Sequence, residues 1–204
     1  VKSRLLIILI AVIAFGAFFV GRSFSEDKKM EGMTPEQQAQ MEQWMKYSQP
    51  DDHHKALEPF VGSWTYTSKF YMTPEAPAQE SNGTSEVTWM LGDRYLQENV
   101  TGDMGGMAFH GFSLTGYDLI KKEYFSIWFD DMSTAPMIST GQMDADGKVL
   151  TVIGTYPDVT KGMKDAKYRT VQKIVSADQH VMEMFMVGDD GKEFKNMEIT
   201  YSRK

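Results

Sequence analysis

Residues 144–187 read DADGKVLTVIGTYPDVTKGMKDAKYRTVQKIVSADQHVMEMFMV, and this stretch decides the fold. It holds three runs, 149–156, 167–176 and 181–187, rich in Val, Ile, Thr, Tyr, Phe and Met and separated by Gly, Pro and Asp turn residues. Asp146-Gly147, and Asp190-Gly191 just beyond, are two-residue hairpin signals, because both central residues of such turns favour positive φ. No segment long enough for a helical crossover separates the runs, so consecutive strands pair antiparallel.

Working outward, the same short alternating runs recur at 63–71, 84–91, 95–101, 107–117, 124–129, 138–144 and 194–202. About ten strands joined as a meander would leave exposed edges unless the sheet curls and closes on itself. The expected fold is therefore all-β: an antiparallel up-and-down barrel over 54–204. A barrel of this strand number encloses a space that side chains only partly fill, so a ligand cavity is a physical expectation.

The chain ahead of the barrel has three parts. Lys2 and Arg4 precede an uninterrupted apolar run over 5–20, which reads as an export signal or N-terminal membrane anchor at 1–25. Ser23-Phe24-Ser25 supplies small residues for a cut before Glu26. If the run is retained, the basic start favours a cytoplasmic amino terminus with the domain outside, periplasmic or extracellular. Residues 26–33 are an aperiodic polar tether. An amphipathic helix is predicted over 34–48, with Thr34 as cap, Pro35 at the first helical position and Gln37 completing a capping box. Its stripe of Met41, Trp44 and Met45 needs a docking surface, and an open end of the barrel could supply one.

Composition removes several functions. The net charge is −7, and about −10 without the amino-terminal Lys2, Arg4 and Arg22. An acidic body with scattered lysines repels phosphate backbones, which excludes nucleic acid as a partner. With no cysteine there are no disulfides, thiolate metal sites or cysteine nucleophiles.

Several segments carry a family resemblance: Trp44-Met45-Lys46, His54-Lys55, LEPFVGSW over 57–64, LGDRYL over 91–96, Gly116-Tyr117-Asp118, Trp128-Phe129-Asp130, Ser139-Thr140-Gly141 and GKEFKNMEITYSRK over 191–204. On these the chain resembles domain-of-unknown-function family 1579, bacterial proteins grouped with the lipocalin-like calycin barrels. The family usually has Gly-Gly-Arg where this chain has Gly92-Asp93-Arg94, and an acidic residue where it has His110. The resemblance implies a calycin barrel and no established activity. Gly62-Ser63-Trp64 is similar to the Gly-x-Trp that opens the first lipocalin strand. There the indole closes the barrel floor and an arginine of the last strand, here Arg203, packs across it. These three, Gly62, Trp64 and Arg203, are thus structural candidates.

Charges inside strands must be paired or serve a ligand if they face inward. Arg94, Trp128, Asp130, Arg169, Glu183 and Glu198 are the ligand-binding candidates; outward-facing charge is the plainer alternative, and alternation alone does not decide between them. Trp64, Trp89, Trp128 and the methionines are candidate lining for a small, partly apolar ligand. An enzyme using lumen carboxylates, with Tyr117-Asp118 or Tyr201 assisting, is the second class, although no nucleophile or cofactor motif is present. A packed structural or interaction barrel is the third.

Metal and haem are minor readings. His180, Met182, Met184 and Met186 share one strand face by alternation, a soft set suited to Cu(I). Methionine as a core gap-filler explains the same pattern more simply. His53 and His54 follow Asp51-Asp52, but adjacent residues seldom point at one ion, so His54 reads as a hydrogen-bonding anchor. His110 shares a face with Phe112 and Leu114, a setting that suits a haem ligand. No metal is assigned, and the cofactor and ligand stay unidentified.

Overall fold

The computed structural model describes residues 33–158, 162, 164–188 and 190–204; the expected signal or anchor at 1–25 and residues 26–32 of the tether lie outside them. Thr34 immediately precedes the helix α1 (Pro35–Ser48). Thr34 Oγ1 accepts from the Gln37 N–H at 3.3 Å, and Gln37 Oε1 accepts from the Thr34 N–H at 2.8 Å, which is the capping box expected. No residue of α1 is buried, and Trp44 is 55% exposed, so its apolar stripe contributes no core.

Ten strands follow: β1 (Gly62–Phe70), β2 (Gln79–Met90), β3 (Tyr95–Met104), β4 (Met107–Asp118), β5 (Glu123–Asp130), β6 (Met137–Met143), β7 (Val149–Asp158), β8 (Lys164–Ser176), β9 (Gln179–Val187) and β10 (Glu193–Arg203). Each pairs antiparallel with the next, and β1 also pairs with β10, so the sheet is a closed barrel with no free edge.

Turn chemistry corrects two hairpin expectations. Asp146-Gly147 and Asp190-Gly191 both sit inside longer connections, at 144–148 and 188–192. In the first, the Asp144 carboxylate accepts from the N–H groups of Lys148 and Val149, which holds the wider loop. The two-residue hairpin with both φ values positive is instead Gly105-Gly106, between the paired Met104 and Met107.

A short segment within the barrel unit closes one end. Asp51 caps the helix α2 (Asp52–Lys55), and a 3-10 turn (Glu58–Phe60) leads into β1. Leu57 is fully buried, Phe60 nearly so, and the Phe60 carbonyl accepts from Trp64 Nε1 at 2.9 Å. The Tyr124 hydroxyl donates to the His53 carbonyl at 3.0 Å, and the His53 ring stacks on Tyr117 at 4.1 Å. Trp89 Nε1 donates to Glu58 at 2.6 Å. Leu57 and Phe60 belong to one hydrophobic core with Trp64, Leu96, Tyr117, Tyr124, Leu150 and Val152. Truncating a side chain as buried as Leu57 to alanine costs about 2–5 kcal/mol.

Candidate functional site in the barrel lumen

Register and burial fix which strand faces point inward. On β1 the buried positions are Trp64 and Tyr66; on β2, Ser85 and Val87; on β3, Leu96 and Val100. Pairing carries that face around the wall: Glu98 lies opposite Ser113, Ser113 opposite Trp128, and Trp128 opposite Met137. Farther round, Thr170 pairs with Met184, and Met184 with Met197. The β9 and β10 side presents Met182, Met184, Met186, Met197 and Ile199. On the β3 to β6 side across the barrel, Glu98, Ser113, Ser126 and Ser139 share the inward face with Leu96, Val100, Trp128 and Met137.

Glu98 is the ionisable group of this arrangement, on the inner face of β3. Protein surrounds it on every side, yet it keeps some accessible surface, as a side chain facing an internal space should. Its oxygens accept from Ser85 Oγ at 2.7 Å and Ser113 Oγ at 3.2 Å. Burial raises its pKa above the ordinary carboxylate value, and the two serine hydrogen bonds only partly oppose that. The Glu98 charge in turn adds to burial in raising the phenol pKa values of Tyr66 and Tyr201.

The six binding candidates separate cleanly. Trp128 and Asp130 share the inward face toward the end opposite the floor, where Trp128 Nε1 donates to Asp130 at 2.7 Å. Arg94 stays at the β2–β3 turn, donating to the carbonyls of Leu91, Gly92 and Ser48. Arg169 lies on the outer face, paired with Glu193 and stacked 4.2 Å over the Phe185 ring. Glu183 and Glu198 are also outside and share Lys195. A bulge at Asn196 explains this trio: the extra residue puts Lys195 and Glu198 on the same face, against simple alternation. These four charged residues therefore do not converge on a lumen ligand.

The structural candidates lie at the floor. Arg203 Nη1 donates to the Val61 carbonyl at 2.9 Å, and Nε donates to the Ala177 carbonyl at 3.0 Å. Gly62 has φ +138°, and a Cβ there would meet the Arg203 guanidinium. Of the tryptophans offered as lining, Trp64 is sealed into the floor and Trp89 binds Glu58, which leaves Trp128 inside the lumen.

His54 fills the anchor role, its ring completing the capping box with Asp51. Burial alone would raise the Asp51 pKa; hydrogen bonds from His53 and His54 outweigh it and hold the group at about 2. His110 corrects the haem reading. It lies on the outer face with Phe112 and Leu114, because its neighbour Gly111 takes the inward position, and it binds Asp131 at 3.1 Å. Among the described residues no cluster of three His, Asp or Glu could hold a metal ion. His180 is wedged against Phe60, Trp64 and Tyr201, at ring distances of 5.3, 4.5 and 4.2 Å.

A shallow groove of about 520 Å³ lies outside the wall, lined mainly by Thr65, Thr67, Asn82, Thr84, Thr200 and Ser202. Its hydroxyls are those of ordinary solvent-facing strand residues, and it holds no charged group. The lumen, by contrast, holds a carboxyl enclosed by protein.

Fold and lumen together define an all-β protein of the closed up-and-down barrel class. The chain belongs to the family described as protein of unknown function (DUF1579), whose model matches residues 49–203. No curated protein matches it. Among solved structures it is similar to the crystal structure of Rv2717c from M. tuberculosis, with 12% identity, a TM-score of 0.56, and coverage of 76% of this chain and 99% of that one. At that identity the likeness shows the fold alone.

Proposed function

We propose that the barrel binds a small, partly apolar molecule in its lumen. The observation that carries this reading is Glu98. A core built only for packing has no use for an interior carboxyl held by two serines, because burying such a group costs several kcal/mol without a charge partner. Set among inward methionines and aromatic rings, it gives a mostly apolar lumen with a few polar groups, the usual composition of a small-molecule site.

Native mass spectrometry of the chain tests this. A reproducible mass excess that vanishes on denaturation supports carriage. In Met184→Trp, which fills the lumen from β9, the excess disappears. An excess that persists in Met184→Trp places the bound molecule elsewhere.

A second reading, acid–base catalysis, draws on the same raised Glu98 pKa, since functional carboxyls are often tuned this way. The two separate on the fate of the molecule: a carrier returns it unchanged, and an enzyme does not.

We also propose that the domain works outside the cytoplasm, on the strength of the basic start and apolar run over 5–20. Fractionation of cells expressing the chain with and without residues 1–25 checks it. Equal cytoplasmic recovery of both forms ends the proposal.

A further inference from the structure

We infer that the lumen ligand carries an ammonium group received by Glu98, on an apolar body lying along Met182, Met184 and Met197. The inference rests on the lumen-binding reading above and names the ligand class for that site.

Glu98 faces the interior with two hydrogen-bond donors, Ser85 and Ser113, both neutral. Among the described residues no ion pair reaches it, and basic side chains of β8 and β10 are engaged elsewhere. Lys195 serves Glu183 and Glu198 outside, Arg169 serves Glu193, and Lys204 serves Glu86. Arg203 is held at the floor by the carbonyls of Val61 and Ala177. The protein thus encloses a carboxyl without supplying its counter-charge. Two serine hydrogen bonds leave lone pairs on the carboxylate unused, and an ammonium brings both donors and positive charge to them.

The surroundings agree in sign. Tyr66 and Tyr201, whose phenols sense the Glu98 charge, lie with their rings 5.8 Å apart. The faces of aromatic rings attract a nearby cation and repel an anion. Asp130 adds another inward carboxylate toward the other end. Methionine side chains adapt to varied apolar bodies, which suits an alkyl or aryl amine of moderate size.

The full chain is titrated at neutral pH with decylamine, decanol and decanoate, read by tryptophan fluorescence and calorimetry. Decylamine is expected to bind roughly tenfold or more tighter than decanol, the equivalent of a charge-assisted hydrogen bond, with decanoate weakest. In Glu98→Gln the amine preference is lost while decanol affinity is kept. Equal or tighter binding of decanol or decanoate by the unmodified chain overturns the inference without any variant, and so does an amine preference that survives in Glu98→Gln. If all three bind alike, only the ammonium assignment falls. If none binds, the lumen reading falls with it.

Discussion

The Arg203 guanidinium lies 4.1 Å from the centre of the Trp64 ring, across the strand pair that closes the barrel. One side chain therefore joins the last strand to the first, to the Val61 carbonyl ahead of β1 and to the Ala177 carbonyl in the β8–β9 turn. Cation–π contact and the charged hydrogen bonds together are worth about 2 kcal/mol at a partly exposed site. Arg203→Ala should lower the melting temperature by roughly 4–8 °C. Arg203→Lys should recover only a fraction, because an ammonium lacks the planar fork that reaches two carbonyls while covering a ring. An unchanged melting temperature in Arg203→Ala would show that the contact contributes nothing to closure.

His180 makes acid stability a local property. It is buried against Phe60, Trp64 and Tyr201, and neither ring nitrogen has a hydrogen-bond partner among the described residues. Burial, with a smaller push from Arg203, lowers its pKa from 6.5 to about 4. Between those values the unfolded chain takes up a proton that the native chain refuses, so stability falls as pH drops from 6.5 toward 4 and levels off below. The loss approaches about 3 kcal/mol at 1.36 kcal/mol per unit. Glu98, with its raised pKa, acts in the opposite sense: it loses stability as pH rises above the ordinary carboxylate range. Urea midpoints of the unmodified chain and of His180→Phe at pH 7 and pH 4.5 separate the two groups. The difference in stability between the proteins should shift toward the variant at the lower pH.

Charged residues on the outer wall should not affect the lumen. Glu183→Gln, Glu198→Gln and Arg169→Met should leave the bound-molecule excess in native mass spectra unaltered, and each should change stability by no more than about 1 kcal/mol. Loss of the bound molecule in any of the three would relocate the site to the outside of β8 to β10.

Asp93 occupies a left-handed conformation, φ +60°, between Gly92 at +65° and the Arg94 that caps the β2–β3 turn. Glycine meets no Cβ penalty there, while aspartate does. Asp93→Gly should stabilise the domain by about 0.5–1 kcal/mol, visible as a higher urea midpoint with an unchanged slope. A lower midpoint would mean that the extra freedom of glycine in the unfolded chain outweighs the relief of strain.

Strand order was legible because its determinants are local. Alternation and turn residues marked all ten strands and the Thr34 capping box, whereas the length of a loop such as 144–148 depends on how far Asp144 draws in its neighbours. Inward and outward faces were harder, since they depend on closure. Glu98 carries a readable signal, sitting between Leu96 and Val100 at the same parity, and those two residues are buried. Choosing that parity over the one through Gln97 and Asn99 requires knowing that Trp64 points in, a relation that passes through two strand pairings. Glu198 was harder still, because the bulge at Asn196 resets the alternation and no residue type announces a bulge.

Gly111 ties the backbone to the aromatic group inside the lumen. A Cβ at this position would meet the outer edge of the Trp128 indole, which also stacks on Phe109 at 6.3 Å and donates to Asp130. Gly111→Ala should therefore displace Trp128 and break its hydrogen bond to Asp130, shifting tryptophan emission. The cost should be about 1–3 kcal/mol, typical of overpacking against a side chain. Gly141→Ala is the comparison, because its Cβ would meet the Thr151 carbonyl and the Val152 backbone of β7, which move only if the strand pair opens. Its destabilisation should exceed that of Gly111→Ala, with no comparable spectral shift. If Gly111→Ala leaves emission unchanged while folding normally, Trp128 does not lean on Gly111 and the wall at Asp130 has room for a bound molecule that this packing denies it.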